Sequence, residues 1–309
     1  MKILIVKTSS LGDVIHTLPA LSDAASVIPD IEFDWVVEED FAEIPAWHQA
    51  VKQVIPVALR RLRKEKSWMA IKEVKAFLNK LRAQKYDYII DAQGLIKSAL
   101  ITMLAHGNKC GLDFNSAREA AASFFYGKKF AIPKGQHAIE RIRRLFADVL
   151  GYEVKRPVAY GINLFFAPVT REKYLVFVHG SSHPNKCWAD YKWIELAELV
   201  GAKGFAVKLP WGNESELKRA QTIAAVCTHA QVLPKSSLYD LAQIFLKSAG
   251  VIAVDTGLGH LAAALDVPTV SLYKNTNPAL IGTIGAHCEY LQNMADVAVG
   301  TVLGKINFW

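Results

Sequence analysis

Cysteine is scarce in this 309-residue chain and widely spread: Cys110, Cys187, Cys227 and Cys288 form no Cys-x-x-Cys pair and have no histidine at finger spacing. That excludes a structural zinc site and a disulfide framework, and it fits thiols kept reduced in a cytosol. Long apolar runs are missing too. Nothing approaches the roughly 18 apolar residues of a membrane-spanning helix, and the opening run Ile3 to Val6 stops at Lys7, too short for a secretory signal. There is no Gly-x-Ser-x-Gly elbow, no His-Glu-x-x-His and no Walker Gly-x4-Gly-Lys-Ser/Thr, which argues against serine hydrolases, zincins and P-loop enzymes. No metal-ligand set is visible, so neither a metal nor another cofactor is expected. Low-complexity tracts and short-period repeats are absent, which excludes a solenoid.

What is present is a folding composition. Hydrophobic residues make up 51% and charged residues 21%, with a formal net charge of +7, enough apolar material for two ordinary domains. Strand, loop and helix alternate: strand Ile3 to Val6, helix Val14 to about Ile28, strands Phe33 to Val37 and Tyr88 to Ile90, helix Ile96 to Ala105. After Gly151, Pro157, Gly161 and Pro168 the pattern restarts with strand Tyr174 to Val178, helix Tyr191 to Val200, strand Phe205 to Leu209, helices Glu214 to Val226 and Leu238 to Ser248, strand Val251 to Val254, helix Leu258 to Leu265 and strand Thr269 to Leu272. The reading is α/β, two parallel-sheet domains with a boundary near 160, spanning 1–160 and 161–309.

Charge is segregated along the chain. Residues 30–43 hold seven acids and no base, whereas 60–85 hold ten bases against two acids. Ile71, Val74, Phe77, Leu78 and Leu81 recur at helical spacing, which makes Lys72, Lys75, Lys80 and Arg82 the wet face of an amphipathic helix. Arg60, Arg61, Arg63 and Lys64 follow a strand-like run, Val54 to Leu59, and fall outside that stripe. Guanidinium groups at a strand end suit carboxylates or phosphates, which their planar fork grips with paired hydrogen bonds.

Open parallel sheets place ligands at the carboxyl ends of their strands, and three such ends carry polar chemistry. In Lys7-Thr8-Ser9-Ser10-Leu11-Gly12-Asp13, Asp13 is either a helix cap or a general base for a hydroxyl nucleophile. In Val254-Asp255-Thr256-Gly257-Leu258-Gly259-His260, the letters Gly257-x-Gly259-x-x-Ala262 match the dinucleotide fingerprint, but the next strand runs into Tyr273-Lys274-Asn275 without the ribose-binding acid. An anion-binding helix start survives and a nicotinamide site weakens. In His179-Gly180-Ser181-Ser182-His183-Pro184-Asn185-Lys186, small hydroxyls and one lysine suit a phosphate, with simple exposure as the plainer alternative. Glu216 either bonds ribose hydroxyls or serves the dipole of its helix.

The opening Met1-Lys2-Ile3-Leu4-Ile5-Val6-Lys7-Thr8-Ser9-Ser10-Leu11-Gly12-Asp13-Val14-Ile15-His16-Thr17-Leu18-Pro19-Ala20, with Phe33 to Glu39, Asp91-Ala92-Gln93-Gly94-Leu95, Lys208-Leu209-Pro210-Trp211-Gly212 and Val254 to Leu261, resembles the ADP-heptose:lipopolysaccharide heptosyltransferases of glycosyltransferase family 9. The blocks occur in family order over nearly the whole chain. The resemblance implies a GT-B fold, two Rossmann-like domains facing across a cleft. It also implies metal-independent, inverting transfer of L-glycero-D-manno-heptose from ADP-L-glycero-D-manno-heptose to the first Kdo of Kdo2-lipid A. The expected enzyme is a monomer, cytoplasmic and peripheral on the inner membrane surface. By the same resemblance Asp13 is the base and Lys186 the diphosphate lysine. Ser181, Ser182, Glu216, Asp255, Thr256, Gly257 and His260 line the donor site, and Arg60, Arg61, Arg63, Lys64 and Arg118 meet acceptor carboxylates and phosphates. The family's Gly-Pro-Thr-Asp-Pro is replaced here by Lys274-Asn275-Thr276-Asn277-Pro278. Rival readings are a later-acting heptosyltransferase, an NAD-dependent dehydrogenase, which lacks its ribose acid, and a nucleotide or nucleic-acid binder. Nucleic acid is not expected as a partner, because no aromatics interleave with the Arg60 cluster.

Overall fold

The computed structural model describes residues 1–62, 68–181 and 183–306. The chain divides into two compact units between Phe165 and Phe166, where the sequence reading put residue 160. In the first unit the elements run β1 (Lys2–Val6), α1 (Leu11–Ile15), α2 (Leu18–Val27), β2 (Glu32–Glu38), α3 (Glu43–Ala46), β3 (Val51–Val57), α4 (Leu59–Leu62), α5 (Trp68–Arg82), β4 (Lys85–Asp91), α6 (Ile96–Leu104), β5 (His106–Leu112), a 3₁₀ turn over Ala120–Phe125, β6 (Lys128–Phe130) and α7 (Ala138–Leu150). The second holds β7 (Tyr174–Val178), α8 (Asp190–Ala202), β8 (Ala206–Leu209), α9 (Glu214–Val226), β9 (Ala230–Val232), α10 (Leu238–Lys247), β10 (Gly250–Val254), α11 (Gly257–Ala264), β11 (Thr269–Leu272), α12 (Pro278–Ile281), β12 (Cys288–Leu291) and α13 (Val299–Gly304).

Each unit has one six-stranded parallel sheet, ordered β3-β2-β1-β4-β5-β6 and β12-β11-β10-β7-β8-β9. Both are the Rossmann order. It reverses between β1 and β4 in the first unit and between β7 and β10 in the second, so a crevice opens at each reversal beyond the strand ends. The central strands are apolar because helices cover both faces: Ile3 to Val6 and Leu175 to Phe177 are fully excluded from solvent.

The single helix expected from Val14 to Ile28 is two helices. Pro19 sits in the first turn of α2, where its missing N–H costs nothing, whereas in a continuous helix its ring would clash with the Ile15 carbonyl. The break leaves α1 a short turn that carries Asp13. Strands β5, β6, β9 and β12 went unread, being short or polar. In β5, Gly111 has a structural duty: a Cβ there would stand 2.4 Å from the Tyr126 ring, and that close approach lets Tyr126 reach the end of β4.

On one face of the first sheet α2 packs on α7 through a buried ion pair. Arg143 Nε and Nη2 donate to the two Asp23 carboxylate oxygens at 2.7 and 3.1 Å, and Nη2 also donates to the Arg156 carbonyl. Removing one partner strands a buried charge. Arg143→Met is expected to lower stability by about 3–5 kcal/mol, seen in urea unfolding as a lower midpoint with an unchanged slope.

Two buried histidines add a pH dependence. His48 accepts from Ala50 N–H at Nδ1 (3.2 Å), so Nε2 carries the proton and donates to Ser22 Oγ (3.0 Å). Burial pushes its ring down to about 4. His179, fully buried beside Trp193, is held to about 4 by burial and the Arg219 charge. The unfolded rings take up protons below about 6.5 while the folded ones wait until about 4. Stability should therefore fall as pH drops through that window, and His48→Gln should flatten part of the slope in denaturant melts taken across it.

Candidate active site

In the first unit the crevice is built around a buried ammonium. Lys7, at the end of β1 and only 5% exposed, donates to the Ala92 carbonyl at 3.0 Å and faces Asp13 Oδ1 at 3.4 Å. The other Asp13 oxygen accepts from the Ser10 backbone N–H (2.9 Å) and hydroxyl (3.2 Å). The cap reading is thus correct, and it leaves Oδ1 directed at the lysine. Burial pushes the Asp13 carboxyl upward, but Lys7, the Ser10 bonds and the more distant Arg118 outweigh it and hold it below the usual range. The group is a carboxylate at neutral pH, able to accept a proton.

The loop after β4 fixes this arrangement. Asp91 is fully buried and accepts from Gln93 N–H (2.8 Å), Gly94 N–H (2.9 Å) and the Tyr126 hydroxyl (2.7 Å). Gln93 Oε1 in turn accepts from the backbone N–H groups of Thr8 and Ser9, both at 3.2 Å. Gly94 has φ +66°, and a Cβ there would crowd the Arg118 backbone nitrogen at 3.3 Å, so a glycine brings the Arg118 segment against this loop.

In the second unit the polarity is inverted: a carboxylate holds a lysine. Lys186 Nζ lies 2.7 Å from Oδ2 of Asp255, whose side chain is 8% exposed. The Thr276 hydroxyl donates to the same oxygen. Ser181 Oγ donates to the Asp255 carbonyl at 3.2 Å, tying the loop after β7 to the loop after β10 across the strand-order reversal. Thr256 precedes α11, Gly257 opens it and His260 is buried one turn on. Glu216, in the first turn of α9, accepts from Gly212 N–H at 2.7 Å and presses so closely on Gly180 that a Cβ there would lie 2.5 Å from its carboxyl carbon. Asp255, Ser181 and Lys186 therefore meet at one crevice, with Glu216 against the loop after β7. Ser182 lies outside the described residues.

The acceptor-side arginines are placed less freely than the sequence suggested. Arg61 forks onto Glu39 (3.1 and 3.2 Å) and Glu73 (3.0 Å). Arg60 lies 3.6 Å from Asp40 and over the Phe41 ring. The acidic run of β2 and its turn thus neutralises the first two bases of the basic run, so Arg61 is not the open anion fork expected. Arg63 and Lys64 lie outside the described residues. Lys7, Gln93 and Thr276 were not anticipated. A lysine at the end of a buried strand was the available signal for the first, whereas nothing in the sequence marked Thr276.

A carboxylate poised on one Rossmann crevice and a lysine among hydroxyls on another form the equipment of a nucleotide-dependent group-transfer enzyme. The chain belongs to glycosyltransferase family 9 (heptosyltransferase), whose model matches residues 74–298. It is 49% identical to lipopolysaccharide heptosyltransferase 1 of Salmonella typhimurium over 99% of this chain and 100% of that one. Among solved structures, E. coli heptosyltransferase WaaC with ADP superposes with a TM-score of 0.94 at 46% identity, covering 98% of both chains. The same enzyme with ADP-2-deoxy-2-fluoro heptose gives 0.91 at 45%, again over 98% of both. The two Rossmann-like domains are those of the GT-B class.

The electrostatic account of Asp13 has a direct check. In Lys7→Met the buried carboxyl loses its nearest cation while keeping its desolvation, so its titration, followed by side-chain carboxyl ¹³C shifts, should move to higher pH than in the parent.

Proposed function

We propose that this chain is a lipopolysaccharide heptosyltransferase that takes heptose from ADP-heptose and adds it to the inner core, with the first Kdo of Kdo2-lipid A as acceptor. The observation that carries the reading is the Lys186–Asp255–Ser181–Thr276 cluster at the crevice of the second unit, in a chain matched over 98% of its length by an enzyme solved with ADP and with an ADP-heptose analogue. The acceptor hydroxyl attacks the anomeric carbon on the face opposite the diphosphate, and the bond from that carbon to the phosphate oxygen breaks. Asp13 takes the hydroxyl proton, ADP departs with the electron pair, and configuration inverts.

On this reading Lys7 is the positioning residue that keeps Asp13 ionised. Lys186 turns its charge onto the departing diphosphate, where fixed cations count most because charge develops there in the transition state. Ser181, Thr256 and the N–H groups at the start of α11 line the same anion, Glu216 faces the ribose, and Arg118 contributes on the acceptor side. The enzyme works as a monomer at the cytoplasmic face of the inner membrane.

Two substitutions separate these roles. Asp13→Asn is expected to bind ADP with parental affinity in calorimetry yet lose transfer by roughly 10²–10⁴-fold; transfer within about tenfold of the parent would exclude the base role. Lys186→Met should both weaken ADP binding and slow transfer, and a change in neither would remove it from the site. Kdo2-lipid A, its Kdo-free form and an already heptosylated acceptor, assayed in parallel, identify which sugar is the acceptor.

A further inference from the structure

The helix layer on one face of the first sheet leaves large apolar side chains in water. Trp68 and Ile71 on α5 are each 72% exposed and Phe124 on the 3₁₀ turn is 71% exposed; Met69 of α5 and Leu100 and Met103 of α6 are exposed as well. These belong to one continuous layer. Phe77, Leu78 and Leu81 of α5 share a core cluster with Ile101 and Leu104 of α6, Arg82 Nε donates to the Leu104 carbonyl, and Ala99 of α6 packs with Ala122 of the turn. The layer on the opposite face behaves differently: from α2 and α7, Val27 is the one large apolar side chain exposed among the described residues. The sequence reading took the exposed face of α5 as a plain charged one, with Ile71 and Val74 in the buried stripe; in fact Ile71 and Val74 are exposed and only Ala70 and Leu81 are fully covered.

Charge on α5 is predominantly positive, four bases against Glu73. At about 100° per residue, Trp68, Ile71, Lys72, Lys75 and Arg82 fall on one outward arc of α5. Lys72 Nζ lies 6.0 Å over the Trp68 ring. The lone acid of α5, Glu73, is already held by Arg61, and among the described residues no ion pair engages Lys72, Lys75 or Lys80. Lysine threaded between exposed tryptophan and isoleucine is unlike the core of a protein interface, from which lysine is depleted. It matches a surface whose apolar side chains enter the headgroup boundary while lysine stems reach up to lipid phosphates. No described helix is long and apolar enough to cross a membrane, so such a layer would lie on the bilayer.

We propose that the α5–α6 layer is the docking face for an anionic bilayer, with Trp68 and Ile71 entering the headgroup region and Lys72 and Lys75 meeting lipid phosphates. The inference rests on the reading of a lipid-borne acceptor, and α6 starts directly after the Asp91–Gly94 loop that supports Lys7, so the docked face adjoins the proposed base. The test is sedimentation of the protein with phosphatidylethanolamine/phosphatidylglycerol vesicles against pure phosphatidylcholine, alongside tryptophan emission, the Trp68 part being the difference between the parent and Trp68→Phe. The parent should bind the anionic vesicles, with a blue shift, and be released as salt rises to about 0.5 M. Trp68→Glu/Ile71→Glu and, separately, Lys72→Glu/Lys75→Glu should bind at least about tenfold more weakly. Both should keep the parental unfolding midpoint and parental transfer to a deacylated, water-soluble acceptor. Parental vesicle binding by the two variants, or equal binding to phosphatidylcholine, overturns the proposal. So does self-association of the parent that Trp68→Glu/Ile71→Glu abolishes, since the face would then join two copies of the chain. Vesicle binding as expected but no transfer to any acceptor would uphold the docking face and sink the transferase reading.

Discussion

An ammonium taken out of water at the end of a buried strand must be surrounded by oxygen, and at Lys7 that requirement organises the first domain. Its partners come from two directions: the Ala92 carbonyl from the loop after β4 and the Asp13 carboxylate from the turn after its own strand. Neither would stay without support. The loop is pinned by Asp91, whose buried carboxyl is pushed up by desolvation even with Gly94, Tyr126 and Gln93 bonded to it, and Tyr126 gets there only because residue 111 has no side chain. A line of cause therefore runs from a glycine in β5, through a tyrosine and an aspartate, to the charge state of Asp13. Because an unpaired buried charge costs several kcal/mol, the members of this line hold one another in place.

The second domain meets the same problem with the signs exchanged. Asp255 is the buried charge and Lys186, 30% exposed, its more accessible partner. Thr276 then has a clear purpose. On the proposed reading, in which Lys186 turns to a phosphate, the Thr276 hydroxyl stays as a donor to Asp255, so that the carboxylate is not left bare. The segment 273–278, which departs from the family's usual letters, thus keeps the hydroxyl that this arrangement needs.

Much of this was legible in the sequence because parallel sheets leave strong signals. Buried strands such as Tyr174–Val178 read as unbroken apolar runs, and Glu214–Val226 and Thr269–Leu272 match their expected bounds. The strand ends pointed to Asp13, Asp255 and Lys186 because ligand chemistry in open sheets collects there. Edge strands of three or four residues gave too little pattern, and Pro19 split a helix whose apolar spacing ran straight through it. The charge runs misled for a different reason. Acids at 38–40 and bases at 60–61 are far apart in sequence, but β2 and β3 are neighbours, so the turns that follow them meet and their charges cancel.

That cancellation also explains where net positive charge remains. Arg60 and Arg61 are engaged by Asp40, Glu39 and Glu73, and among the described residues no ion pair engages Lys72, Lys75 or Lys80. On α5 an anionic surface would meet uncompensated charge, whereas Arg60 and Arg61 are already engaged. Packing separates the two regions further: α5 buries Ala70 and Leu81 against the sheet and leaves Trp68 and Ile71 uncovered, so the surface with uncompensated charge is also the one with uncovered apolar area. Water alone favours neither feature, since the apolar groups gain by leaving it and like charges on one helix repel. A surface that supplies hydrocarbon and anions together relieves both.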